Sequence, residues 1–295
     1  MTANEICVVH LVRQSNDIAA FTAFLHSYRR CPAGVPHDLM IVYKGFSSEE
    51  ALARHEALLD GVPHKQTRML DFGYDVRPYV KVARDYPYRY FLFLNSFSQV
   101  LVPGWLEMFY RQAQRPRVGI VGATGSYQSN SSDYYVFKSD RPKTLPALKR
   151  AVLPLYRYIR YTLTIRGHFP TFPNYHVRTN AFMIARDTMA GLSTEILLRK
   201  SHAYRFESSN EGMTHQLMSN GLIPLVVGAD GQGYEAPDWH LARTFWISSQ
   251  ENLIISDNQT RTYAEGSQAL RERLAFHAWR RYPDGQPRTD VPPLP

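Results

Sequence analysis

Glu207 and Glu211, in the segment AYRFESSNEGMTHQLMSNGL, are carboxylates whose surroundings in the sequence allow proton transfer. A carboxylate serves as a general base when it reaches the hydroxyl it deprotonates and has no structural commitment of its own. Ser208 and Glu211 have the Ser-x-x-Glu spacing of a capping box, which assigns Glu211 to the start of a helix. Glu207 lies just ahead of that cap, and its competing role is an ordinary ion pair with Arg205 or another neighbour. Asp75, in FGYD, is a third candidate. It closes a strand-like run, where a carboxylate can accept hydrogen bonds from sugar or ribose hydroxyls, and it also has the position of an N-cap for DVRPYVKVARDY.

These side chains act together only if the fold gathers them. EICVVHLV, HDLMIVYKG, KQTRMLDFG, RYFLFLNS and RVGIVGATG are apolar runs of strand length. Between them lie segments with helical spacing, opened by Ser or Asp and closed by Gly or Pro, such as SSEEALARHEALLDG and VPGWLEMFYRQAQ. Strands alternating with helices predict an α/β fold with a mostly parallel sheet flanked by helices. Ligands of such sheets sit outside the carboxyl ends of the strands. Val12 and Arg13, Lys44, the stretch 71–75, Asn95 to Ser98 and Thr124 end the predicted strands and are the first candidates for binding.

The 295 residues, 44% of them hydrophobic, suffice for a substantial core. A formal net charge of +8 suits polyanions without choosing among them. Cys7 and Cys31 are too few for a disulfide framework or a metal cage and read as buried thiols. Neither a long apolar run nor a leader-like N-terminus stands out, so the expectation is a cytoplasmic protein.

FLFLNSFSQVLVPGWLEMF and RVGIVGATG together resemble the GT-A glycosyltransferases, in which a strand ending in an Asp-x-Asp turn is followed by a Pro-Gly-Trp-Leu helix start and a further Gly-containing strand. DFGYDVRPYVKVARDYPYRYFLFLN resembles the Gly-Arg-Asp-x-x-Pro pattern of the rhamnan-synthesis type, with Tyr74 in place of the arginine. The resemblance spans roughly the first 230 residues and implies a nucleotide-sugar donor and a glycan or lipid-linked acceptor. It implies that the general base stands at the start of the helix after the central acceptor-side strand, where Glu207 and Glu211 lie, and that Thr179 and Asn180 line the acceptor side. Trp239, by its residue type, can stack on a sugar face, with buried packing the commoner fate of a tryptophan. It also implies a magnesium or manganese ion on the Asp-x-Asp, since paired carboxylates are hard oxygen ligands. Asn95 and Phe97 occupy those positions here, flanking Ser96, so no cofactor is expected, although a divalent metal on other ligands stays open. Fixed cations can then stabilise the leaving diphosphate, and Lys44, His240, Arg243 and Arg261 are the candidates. Lys44 and Tyr43 follow the second strand where the family has an acid to read the base.

The region from Asp140 to Arg166 carries Arg141, Lys143, Lys149, Arg150, Arg157, Arg160 and Arg166. Its apolar residues, Leu145, Leu148, Val152, Leu155, Ile159 and Leu163, fall near one helical face, with Pro154 expected to kink the helix. That is the pattern of a helix at the inner face of an anionic membrane, and equally of a helix packed on the domain with its basic face in water. Interleaved Tyr156, Tyr158 and Tyr161 admit a nucleic-acid-binding reading, which no motif supports. A catalytically inactive transferase fold is a further alternative. The expected organisation is a transferase domain over 1–235, split near 125 into a nucleotide-sugar half and an acceptor half. A C-terminal extension over 236–285 completes the site, and 286–295 is a disordered tail.

Overall fold

The computed structural model describes residues 4–71, 76–134, 147–194 and 200–287. An eight-stranded sheet forms its centre, in the spatial order β11-β10-β6-β9-β4-β1-β2-β3. The strands are β1 (Ile6–Arg13), β2 (Asp38–Lys44), β3 (Lys65–Met69), β4 (Tyr90–Leu94), β6 (Val118–Gly122), β9 (Ala181–Ala185), β10 (Ile223–Val227) and β11 (Gly233–Glu235). Short pairs stand apart from it: β5 (Gln99–Val100) with β12 (Ile255–Ser256), and β7 (Gly125–Ser126) with β8 (His176–Val177). The chain runs outward from β1 to β3 and returns to β4 on the other side of β1, pairing parallel each time. The strand order therefore reverses between β1 and β4, and the crevice at such a reversal is where sheets of this class bind ligands.

β9 is antiparallel to both β4 and β6, and β11 is antiparallel to β10, while the other four pairings are parallel, so the sheet is mostly parallel as expected. The reversal of β9 has a positional consequence. The residues preceding β9, Thr179 and Asn180, lie at the same edge as the residues following β1, β2, β3, β4 and β6.

Alternate residues of each strand feed opposite faces. On one face Val9, Leu11, Phe91, Phe93 and Phe182 pack against α3 (Val76–Asp85), α8 (Lys200–Ser208), α9 (Met213–Ser219) and residues from beyond 236, among them Trp239, Phe245, Tyr263 and Trp279. On the other, Val8, Val12, Leu92 and Leu94 pack against α1 (Ile18–Arg30) and α4 (Trp105–Ala113). Burial of each such side chain contributes about 1.5–3 kcal/mol. The C-terminal segment, with a 3-10 helix over Ala236–Ala242, α10 (Asn258–Ala264) and α11 (Gln268–Trp279), thus belongs to the same core as the sheet. Gln286 and Pro287, expected in a free tail, fold back through an Arg281–Pro287 bridge, and the rest of that tail lies outside the described residues.

The remaining helices are α2 (Glu49–Glu56), α5 (Asn130–Asp133), α6 (Ala147–Thr164) and α7 (Arg186–Gly191). α6 continues through Pro154 as one helix. Cys7 and Cys31 are buried free thiols, as read from the sequence.

Candidate functional site

At the reversal, β4 ends in the turn Asn95 to Ser98. Asn95 Oδ1 accepts from Phe97 N at 3.0 Å and from Ser98 Oγ at 3.0 Å, which folds the turn locally. Asn95 N donates to Asn180 O at 2.8 Å, tying the turn to the start of β9. Thr124, following β6, donates to Asn180 Oδ1 at 2.8 Å and accepts from Arg178 Nη1 at 3.3 Å. Arg178 completes the chain through an ion pair with Asp257 at 3.0 Å. Its guanidinium also covers the Phe245 ring at 4.1 Å, where a planar cation is attracted to the aromatic face. The network crosses the edge from β4 to the C-terminal segment.

Two donors in it are buried and lack a hydrogen-bond partner among the described residues: Ser96 Oγ and Asn180 Nδ2. Asn16 Nδ2, just beyond β1, is in the same state. Ser96, Asn16, Val12 and Arg13 line one small cleft at the carboxyl end of β1. An unsatisfied buried donor costs about 1–3 kcal/mol, and this cleft, of about 10 Å³, has room for a single water at most.

Arg261 bonds the turn directly. Both its Nη atoms donate to Phe97 O at 3.2 Å, and Nη1 also reaches Ser256 Oγ at 3.3 Å. All of these acceptors are neutral, and no carboxylate among the described residues forms an ion pair with it. The pairing of β12 with β5, Ile255 against Val100, carries α10 to this position. Asp257 caps α10 through Thr260, with reciprocal side-chain and backbone bonds.

The turn does not suit a divalent cation. Asn95 Oδ1 is engaged by two donors, Phe97 offers no ligand atom in its side chain, and a guanidinium holds the Phe97 carbonyl. Among the described residues no cluster of three His, Cys, Asp or Glu has metal-binding geometry.

Beside the start of β9, Glu207 stands in the last turn of α8. Its Oε2 accepts from Thr179 Oγ1 and, at 3.3 Å, from Thr179 N. Glu207 is thus one hydrogen bond from the residue adjoining Asn180. His176, two strand positions before Arg178, is buried; burial lowers its pKa, and the Glu207 carboxylate opposes that shift.

At the end of β2, Lys44 is fully buried and lies 3.7 Å from Asp71, which Arg13 also pairs at 3.2 Å. Asp71 is half exposed and keeps an open face toward solvent. Gly45 allows this approach: its φ of +78° is costly for other residues, and a Cβ there would lie 2.8 Å from Asp71 Cβ.

The chain matches no family model and no curated protein. Solved structures give low similarities. A mannosyltransferase from Pyrobaculum calidifontis, in complex with GDP-Man and Mn2+, is 12% identical with a TM-score of 0.45, over 82% of this chain and 60% of that one. Mouse xyloside xylosyltransferase 1 is 12% identical with a TM-score of 0.35, over 64% and 69%. A 4-diphosphocytidyl-2C-methyl-D-erythritol synthase from Anaerococcus prevotii is 9% identical with a TM-score of 0.42, over 76% and 88%. This chain therefore spans less than two thirds of the length of the mannosyltransferase, and similarities this low leave function to the site itself.

The structure gathers Val12, Arg13, Asn95, Ser96, Thr179, Asn180, Glu207 and Arg261 along one edge, with Lys44 at the end of β2. Val12 contributes only backbone there, since its side chain is in the core. Other expectations change. Trp239 is fully buried, donates to Tyr234 O at 3.0 Å and presses on Gly125, so it has no face for a sugar. His240 is bonded to Tyr127 and Arg243 to Glu251, so neither is held at the turn by its hydrogen bonds. Asp75 lies outside the described residues.

The capping box at Ser208 does not form. Ser208 ends α8, its hydroxyl donates to Tyr204 O, and Gly212 is the N-cap of α9. Asn174 donates to Ser208 O and Asn210 N donates to His168 O, fixing the intervening turn by tertiary contacts. Glu207 is accordingly at the end of a helix rather than the start of one, and Glu211 is exposed. Sequence reasoning passed over Arg178 and Asp257, although both lie within segments it singled out, HVRTNAFMIARD and ISDNQTR.

Proposed function

We propose that the chain is a nucleotide-sugar-dependent glycosyltransferase of GT-A type, acting with inversion on a glycan or lipid-linked glycan in polysaccharide assembly. The observation that carries this reading is Arg261, a cation clamped to the donor turn by neutral oxygens alone, where a metal-dependent enzyme would carry its ion. A guanidinium fixed in advance can take up charge as the diphosphate leaves, without reorganising.

In this reading Asp71, held by Arg13 and Lys44, accepts hydrogen bonds from the ribose or base. Ser96 Oγ and Asn180 Nδ2 donate to oxygens of the donor. Glu207 takes the proton of the acceptor hydroxyl, whose oxygen attacks the anomeric carbon. The bond from that carbon to the phosphate oxygen breaks, and the electron pair leaves with the nucleoside diphosphate beside Arg261. Thr179 orients the carboxylate.

Thermal shifts with a panel of nucleoside diphosphates, each with and without chelator, test donor binding. A rise that survives chelation supports the assignment, and loss with chelator reversed by manganese overturns the role of Arg261. Hydrolysis of the stabilising donor should fall about 10²–10⁴-fold in Glu207→Gln and stay near the parent rate in Glu211→Gln. Equal losses would remove Glu207 from the mechanism.

A further inference from the structure

Amphipathic helices of soluble domains turn their apolar stripe to the core. α6 does the reverse. Leu155, Ile159 and Leu163, spaced to share one face, are 61%, 46% and 68% exposed, and Tyr156 and Tyr158 beside them are 56% and 57% exposed. The opposite side holds the helix to the domain: Tyr161 packs on Tyr134 with ring centroids 5.2 Å apart and lies 3.4 Å from Ser131 Oγ. Arg160, Thr164 and Ile165 line a cleft shared with Asp133, His202 and Arg205. The reading in which α6 packs its apolar face on the domain is therefore overturned for these residues.

Charge names the occupant of that face. No acidic residue occurs between Asp140 and Asp187, while Lys149, Arg150, Arg157, Arg160 and Arg166 lie in α6 or just beyond it. An exposed apolar stripe with tyrosines beside it, on a segment whose charged residues are all cations, matches a bilayer whose headgroups are anionic. A second copy of the helix would bring like charges together, and the aliphatic stripe has no counterpart on a nucleic-acid backbone. No helix among the described residues is long and apolar enough to cross a membrane, so α6 lies along the surface.

We propose that α6 docks the protein on an anionic lipid surface, with Leu155, Ile159 and Leu163 inserted among the acyl chains. This inference rests on α6 alone and does not depend on the transferase reading, so each can fail separately.

Co-sedimentation of the whole protein with vesicles tests it. The protein should pellet with vesicles containing phosphatidylglycerol and stay in solution with phosphatidylcholine alone. The triple variant Leu155→Asp, Ile159→Asp, Leu163→Asp should lose binding by about tenfold or more. Its circular dichroism and melting temperature should be unchanged, because all three side chains are already in water. A second variant, Leu163→Cys, can be labelled selectively because Cys7 and Cys31 are buried. An environment-sensitive dye at that position should shift to the blue on the anionic vesicles only. Failure of the parent to pellet, equal pelleting with both lipids, or an unshifted dye overturns the proposal. So does a concentration-dependent dimer, or retention of an oligonucleotide, that the triple variant abolishes.

Discussion

Arg178 and Arg261 reach the same edge of the sheet and end in opposite electrostatic states. Arg178 faces a fully buried carboxylate, Asp257, which also caps α10, so its charge is cancelled inside the protein. Among the described residues the Arg261 guanidinium meets only the Phe97 carbonyl and the Ser256 hydroxyl, which orient it and leave its charge intact. Partners, more than depth, decide whether a cation serves structure or remains available to a ligand. A buried ion pair is costly to break from one side, because the surviving charge has been removed from water.

The sharpest way to break this comparison is Asp257→Leu, which strands Arg178 and uncaps α10 together. Urea denaturation should register a loss of about 3–5 kcal/mol, and a loss below about 1 kcal/mol would place the pair among ordinary surface ion pairs. Arg261→Ala should act on binding instead. Nucleoside diphosphate affinity should fall about ten- to hundredfold by calorimetry, the scale of a hydrogen bond to a charged group, with little change in melting temperature. A large stability loss with unchanged affinity would make Arg261 a structural clamp.

A third state is a base held without charge. His10 is fully buried against Phe24, with ring centroids 3.7 Å apart, and burial pushes its pKa down to about 3. The unfolded chain takes up this proton below about pH 6.5 and the folded chain does not, so the stability that neutral His10 supplies is present above pH 6.5 and is lost as pH falls toward 3. The slope is up to about 1.4 kcal/mol per pH unit, and His10→Leu should flatten that share of the acid limb. Burial also lowers His176, His215 and His240, which leaves residual slope in the variant. The smallest effect belongs to Arg243→Ala. Its exposed pair with Glu251 should be worth less than about 1 kcal/mol, and nucleotide affinity should not change.

Local pattern carried the sequence reading as far as the strands. The apolar runs became β1, β2, β4 and β6, and the residues ending them, with Thr179 and Asn180, meet at one edge because strand direction fixes where a strand terminates. The contacts that give the edge its chemistry are not local. Arg261 and Phe97 are 164 residues apart, and Arg178 and Asp257 are 79 apart, so no periodicity links them. The Ser208 cap failed for a related reason: Asn174 and His168 determine that turn from outside its own segment. Trp239 looked like a stacking platform by residue type, but the absence of a side chain at Gly125 lets it sink into the core.

The strap formed by β12 and Arg261 also sets an order of events. β1 to β4 have their partners within the first hundred residues or in β9, whereas β5 has none until β12 has been made. During synthesis β1 to β4 can pair while the turn from Asn95 to Ser98 still lacks Arg261, because contacts between distant segments form late. Completion of this edge therefore trails the pairing of β1 to β4, and a nascent chain halted before residue 255 would lack both the contacts of Arg261 with the turn and the core residues Tyr263 and Trp279.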